Sequence, residues 1–197
     1  GISEVNAVMG RIVACPTAGS CGIVPAALYA AKKQRHLADA DIVLALLTAA
    51  GIGMVIDQNA SIAGAAGGCQ AECGAAAAMG SGALVHIQGG SDEMVANAVA
   101  LALKSILGLV CDPVGGLVEA PCIKRNGTLT ALGAVSADMA LAGIKSVIPA
   151  DEVIDAMSRV GKAIPPSLRE TSLGGLAITP TAKELVKNLG LKKPQAV

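Results

Sequence analysis

An all-α fold, a helical bundle, is expected from three features of this 197-residue chain. Hydrophobic residues make up 53% of it, yet aromatics only 1%, with no Trp and no Phe. The core must then be filled by Ala, Leu, Ile, Val and Met, and small side chains let helices approach closely. Helical spacing and helix-end signals recur along the chain. Strand signals are scarce: only RIVAC (11–15) and GLVEA (116–120) read as short extended pieces. No repeat or low-complexity linker divides the chain, so 1–197 reads as a single helical domain.

The elements follow in order. Gly22 to Arg35 begins apolar, carries Pro25 in its first turn and ends in a basic turn, which suits the helix dipole. Asp39 and Asp41 open the next helix, which holds the apolar run Ile42 to Ile56. That run is shorter than the roughly 20 residues a membrane-spanning helix needs, so it reads as a buried core helix. Asn59 to Gly68 is small and Gly-rich, a turn region. Cys69 to His86 reads as an Ala-rich helix. Ser91-Asp92-Glu93 places a cap and two acids at a helix start, with a stop expected near Gly108. Residues 111–122 (CDPVGGLVEAPC) form a loop, and Thr128 to Ile144 is apolar again. Val153, Ile154, Met157 and Val160 fall at helical spacing before Gly161. Thr181 to Glu184 has the form of a capping box, and the tail LKKPQAV reads as frayed.

Charge excludes some functions. Lys and Arg total 15, Asp and Glu also 15, so there is no basic footprint for nucleic acid. Mean hydropathy is high at +0.61, but no secretory signal opens the chain. An apolar, cysteine-bearing chain of this kind reads as cytoplasmic, where thiols stay reduced. The first residue is Gly rather than Met, which reads as a fragment or a processed chain.

Six cysteines therefore point to metal or to buried packing. Cys69 and Cys73 stand at i and i+4, and Cys111 and Cys122 bracket the Pro/Gly loop. Four such thiolates can build a closed zinc site, although the 111–122 spacing is loose for one. Cys69, Cys111 and Cys122 each lie where backbone can wrap a ligand, whereas Cys73 sits in an Ala run like a packing residue. CPTAGSCG (15–22) offers another kind of site. Thr17, Gly19 and Ser20 present hydroxyls and backbone N–H groups before a helix, a setting that attracts carboxylates and also makes an ordinary cap. Asn59 and Ser61 are weaker candidates of the same type. Lys124, close to Cys122, is the weak candidate for a catalytic group, with a solvated cation as its plain alternative. Glu72 suits a site or a helix equally. His36 and His86, at helix ends, read as structural.

Five segments carry a resemblance: VMGRIVACPTAGSCGIVPAAL, NASIAGAAGGCQAECG, LKSILGLVCDPVGGLVEAPCIKRN, ADMALAGIKSVIP and LRETSLGGLAITPT. In combination and order they resemble the alpha chain of iron–sulfur L-serine dehydratases, from about Glu4 to about Glu184. The resemblance implies an all-helical catalytic domain with a [4Fe–4S] cluster on Cys69, Cys111 and Cys122. It also implies that PTAGS receives the carboxylate of L-serine, with Thr17, Gly19 and Ser20 as substrate-binding positions; Asn59 and Ser61 stay weaker substrate-shell candidates. Cys15, Cys21 and Cys73 fall where the family pattern requires no cysteine. The implied enzyme is a lyase of amino-acid catabolism that yields pyruvate and ammonia. Its alpha chains carry a further segment before this start, work with a beta subunit or additional domain, and form homo-oligomers. A related L-cysteine desulfidase-type lyase and a non-catalytic zinc-stabilised module on Cys69, Cys73, Cys111 and Cys122 are the alternatives.

Overall fold

The computed structural model describes residues 1–11 and 13–191. Nine α-helices account for most of the described chain, and no strand occurs among the described residues. They are α1 (Ile2–Ala7), α2 (Ile23–Arg35), α3 (Asp39–Asn59), α4 (Gly64–Gly67), α5 (Ala75–Ile87), α6 (Asp92–Lys104), α7 (Cys122–Leu141), α8 (Ala150–Ala163) and α9 (Pro180–Asn188). The all-α expectation holds. RIVAC and GLVEA form no strand in their described residues, and the only extended pairing described is a single bridge between Cys111 and Arg169.

The bundle is organised around α5. Every residue from Ala75 to Val85 is buried, and α2, α3, α6 and α7 surround it. Such a ring is open to a helix made of Ala, Gly and Ser because its backbone can be approached closely. A methyl group added to Gly133 of α7 would stand 3.0 Å from the Ala77 carbonyl oxygen of α5, so only glycine fits that crossing without a shift. Ile56, Val99, Leu103, Val153, Ile154 and Met157 join α3, α6 and α8 in a second apolar cluster beside it.

Five expectations change in detail. α3 is not a fully buried core helix. Ala45, Ala49, Gly53 and Ile56 bury one stripe at helical spacing, while Val43, Leu44, Leu47 and Met54 are exposed. By length and composition α3 is also apolar enough to cross a membrane. The Cys69–His86 helix opens with a π-helical turn, Gln70–Gly74, before α5 proper. α6 ends at Lys104, short of Gly108, because Gln70 draws the following turn away: its Nε2 partner is Met157 O, its Oε1 accepts from Gly108 N at 2.9 Å, and its own N–H donates to Leu109 O at 3.0 Å. α7 begins at Cys122, so Lys124, Arg125 and Asn126 are helical. α9 is capped by Thr179, whose hydroxyl accepts from Ala182 N at 3.4 Å, and not by Thr181. Pro180 explains this, since its fixed φ suits the first helical position and makes the preceding residue the cap. Most of the tail LKKPQAV lies outside the described residues.

Candidate functional site

The loop before α2 is built from its own hydroxyls. Ser20 Oγ stands 2.9 Å from Thr17 Oγ1, and Ser20 N–H donates to the same atom at 3.3 Å. Thr17 Oγ1 in turn donates to Glu72 Oε1 at 2.5 Å. Ser20 is fully buried, and the N–H groups of Ala18 and Gly19 donate to none of the described residues. A methyl group at Gly19 would stand 2.5 Å from Glu72 Oε1, so a larger residue there would displace that carboxylate. The first turn of α7 anchors the loop. Asn126 Oδ1 accepts from Gly22 N at 2.9 Å, and its Nδ2 donates to Gly19 O at 2.8 Å and to Cys122 O at 2.9 Å.

Three cysteines approach this loop from different elements. Cys69 begins the π-helical turn, Cys111 lies on the bridge to Arg169, and Cys122 opens α7. They are 0%, 2% and 4% exposed. Each lies near enough to affect the ionisation of another: the Cys111 thiol is raised by burial and then by Cys69, and the Cys122 thiol is pushed up to about 12 by burial and then by Cys69. Cys69 is the acidic member. It accepts a hydrogen bond from Cys73, and Arg125 adds positive charge beside it, so its thiol lies below the ordinary value while that of Cys73 lies above. Arg125 is itself held in place. Its Nη1 donates to Val110 O at 2.9 Å, and its Nη2 stands 2.8 Å from Asp112 Oδ1. Asp112 Oδ2 accepts from Leu176 N at 2.7 Å.

The donor set suits a cationic, multi-metal group. Buried thiols without a metal stay protonated, and three thiolates together need strong positive charge to persist. Among the described residues no three His, Cys, Asp or Glu side chains converge tightly enough to hold a single metal ion.

The other predicted positions make local contacts or face solvent. Asn59 Nδ2 donates to Val55 O of its own helix, and Ser61 Oγ accepts from Ala63 N, a local turn. Lys124 is exposed on α7. Cys21 is buried beside the loop and Cys15 half-buried, and burial raises both thiols. His36 and His86 are exposed at the ends of α2 and α5. Sequence reasoning missed Arg125, Asn126, Asp112 and Glu170. Each sits in a segment already singled out, CDP, IKRN or LRETS, but nothing in composition or spacing marked it.

Known proteins are similar over almost all of this chain. The family described as serine dehydratase alpha chain matches residues 1–177. A Bacillus subtilis protein named "Probable L-serine dehydratase, alpha chain" is 54% identical over 187 residues, covering 95% of this chain and 62% of that protein. A Latilactobacillus sakei protein of the same name is 55% identical over 181 residues, 91% of this chain and 86% of its own. The Peptoniphilus asaccharolyticus "L-serine dehydratase, alpha chain" is 50% identical over 183 residues, 93% of this chain and 63% of its own. The chain thus spans less than two thirds of the Bacillus and Peptoniphilus relatives. By the extent of these matches, the chain belongs to the serine dehydratase alpha chain family.

Proposed function

We propose that this chain is the catalytic part of an L-serine dehydratase and that Cys69, Cys111 and Cys122 hold a [4Fe–4S] cluster. The observation that carries the reading is the approach of three buried thiols to a hydroxyl- and N–H-bearing loop, in a family whose relatives are named for L-serine dehydration. The overall reaction removes water from L-serine. It leaves aminoacrylate, which tautomerises to the imine and takes up water to give pyruvate and ammonia.

Serine resists this because its β-hydroxyl leaves poorly and its α-proton is weakly acidic. When bound, a cluster with three protein ligands supplies Lewis acidity at its remaining iron, the chemistry a poor leaving group needs. The chain's own residues orient the substrate. The N–H groups of Ala18 and Gly19 are free to take its carboxylate, and Ser20 and Thr17 hold the loop in that shape through Glu72. Asn126 keeps the loop and Cys122 in one frame, so the carboxylate receiver and the thiols cannot drift apart. Arg125 favours the thiolate of Cys69. Burial of the thiols keeps water from competing for the site. The name "alpha chain" borne by the relatives supports a partner chain that completes the enzyme. Six free thiols fit a reducing compartment.

The test is anaerobic purification followed by iron and sulfide analysis and a visible spectrum. A brown protein with about four irons and four sulfides per chain is expected. Cys111→Ser should lose most of both. Full cluster content in Cys111→Ser, or zinc in place of iron and sulfide, overturns the reading.

A further inference from the structure

Two carboxylates come together at Gly64, next to the loop. A methyl group added to Gly64 would stand 3.2 Å from Glu72 Oε2, 3.4 Å from Glu170 Oε2 and 3.2 Å from Cys111 Sγ. Glycine at 64 lets these three groups stand close to the backbone. Glu72 is 8% exposed, and its Oε1 is taken by Thr17. Its Oε2 accepts no hydrogen bond from any described residue, and no ion pair among the described residues reaches either carboxylate. A carboxylate on a nearly buried side chain, with one oxygen left without a donor and facing a second carboxylate, attracts a cation.

Glu170 is held there by the backbone. Its N–H donates to Cys111 O at 2.7 Å, and Cys111 N–H donates to Leu168 O at 2.9 Å. Its φ is +65°, a left-handed conformation that is uncommon outside glycine and asparagine. The chain is thus turned at Glu170 next to the cysteine it accompanies.

We propose that Glu72 and Glu170 receive the α-ammonium group of the amino-acid substrate, an assignment that rests on the dehydratase reading above. The carboxylate and ammonium of an α-amino acid hang from one carbon, so their receivers must be neighbours. Gly19 and Glu72 meet that requirement, since a methyl at Gly19 would touch Glu72 Oε1. Cys111 Sγ stands beside the same carboxylates, so a substrate held by them brings its side-chain end near the thiols. The subsite selects amino acids over hydroxy acids and simple acids, because only an ammonium group answers two carboxylates.

Calorimetric titration of the anaerobically reconstituted chain tests this with L-alanine and propionate, which differ only by the ammonium group and cannot lose a β-hydroxyl. The wild type should prefer L-alanine. Glu72→Gln and Glu170→Gln should each weaken L-alanine about tenfold and leave propionate unchanged within about twofold. Glu170 is exposed, so its variant tests the idea without risk to the core. Normal L-alanine binding by both variants, no L-alanine binding by the wild type, or equal loss of both probes overturns the subsite. If the wild type binds L-alanine through these glutamates but takes up no iron and sulfide, the subsite stands and the iron–sulfur reading falls. If it takes up the cluster and the variants bind L-alanine normally, only the subsite falls.

Discussion

Glu72 shows how one residue links stability to the site. Burial raises its carboxyl above the ordinary range, the Thr17 hydroxyl offsets part of this, and Glu170 adds to it. A carboxyl raised on folding keeps its proton longer in the folded state than in the unfolded chain. Its contribution to stability is therefore complete below the unfolded value of about 4.3 and is lost as pH rises through the folded value. Glu72→Gln should then stabilise the substrate-free protein at pH 7 by about 1 kcal/mol, with the gain vanishing below about pH 4. Thermal melts of both proteins across pH check this, and a variant less stable at pH 7 would contradict it. In the sequence, CQAE read as site or helix without preference. The choice needed the partners Thr17 and Glu170, which are distant along the chain. Lys124 was the more visible candidate because it adjoins Cys122, yet helical geometry turns it to solvent and turns Asn126 inward.

At the scale of elements, α3 is the one whose environment differs most from its composition. It buries Ala45 and Ala49 against the bundle and exposes Leu47 at 63%. Leu47→Lys should change stability by no more than about 0.5 kcal/mol, whereas Ala49→Leu should cost about 1–3 kcal/mol through overpacking. Urea denaturation of the two variants separates the faces, and a large loss in Leu47→Lys would mean that this face is covered. Hydrophobic content alone did not reveal the division, because apolar residues lie all round the helix and the buried stripe is made of its smallest ones. The same limit applied at the ends of α6 and α9. Local signals placed each helix, but the stop of α6 depends on Gln70, and the start of α9 depends on Pro180.

Across the whole molecule, the three candidate ligands tie together elements that are far apart in sequence: the π-helical turn, the bridge at Cys111 and the head of α7. A metal group bound only by the folded arrangement stabilises it by mass action. Loading with iron and sulfide should raise the thermal midpoint by about 5 °C or more, and a chelator should reverse it. Scanning calorimetry under anaerobic conditions reads this directly, and an unchanged midpoint would show that the thiols do not share one group. The sequence by itself determined the helical class, most helix positions and the family, because these rest on local spacing, caps and ordered motif blocks. It also marked Cys69, Cys111, Cys122 and the Thr17–Ser20 loop. The tertiary structure alone decided that loop and thiols are neighbours, that Asn126 and Arg125 hold them, and that Glu72 meets Glu170 across Gly64. Those relations are contacts between residues up to about a hundred positions apart. No local pattern encodes them, since each depends on how helices of small side chains close around α5.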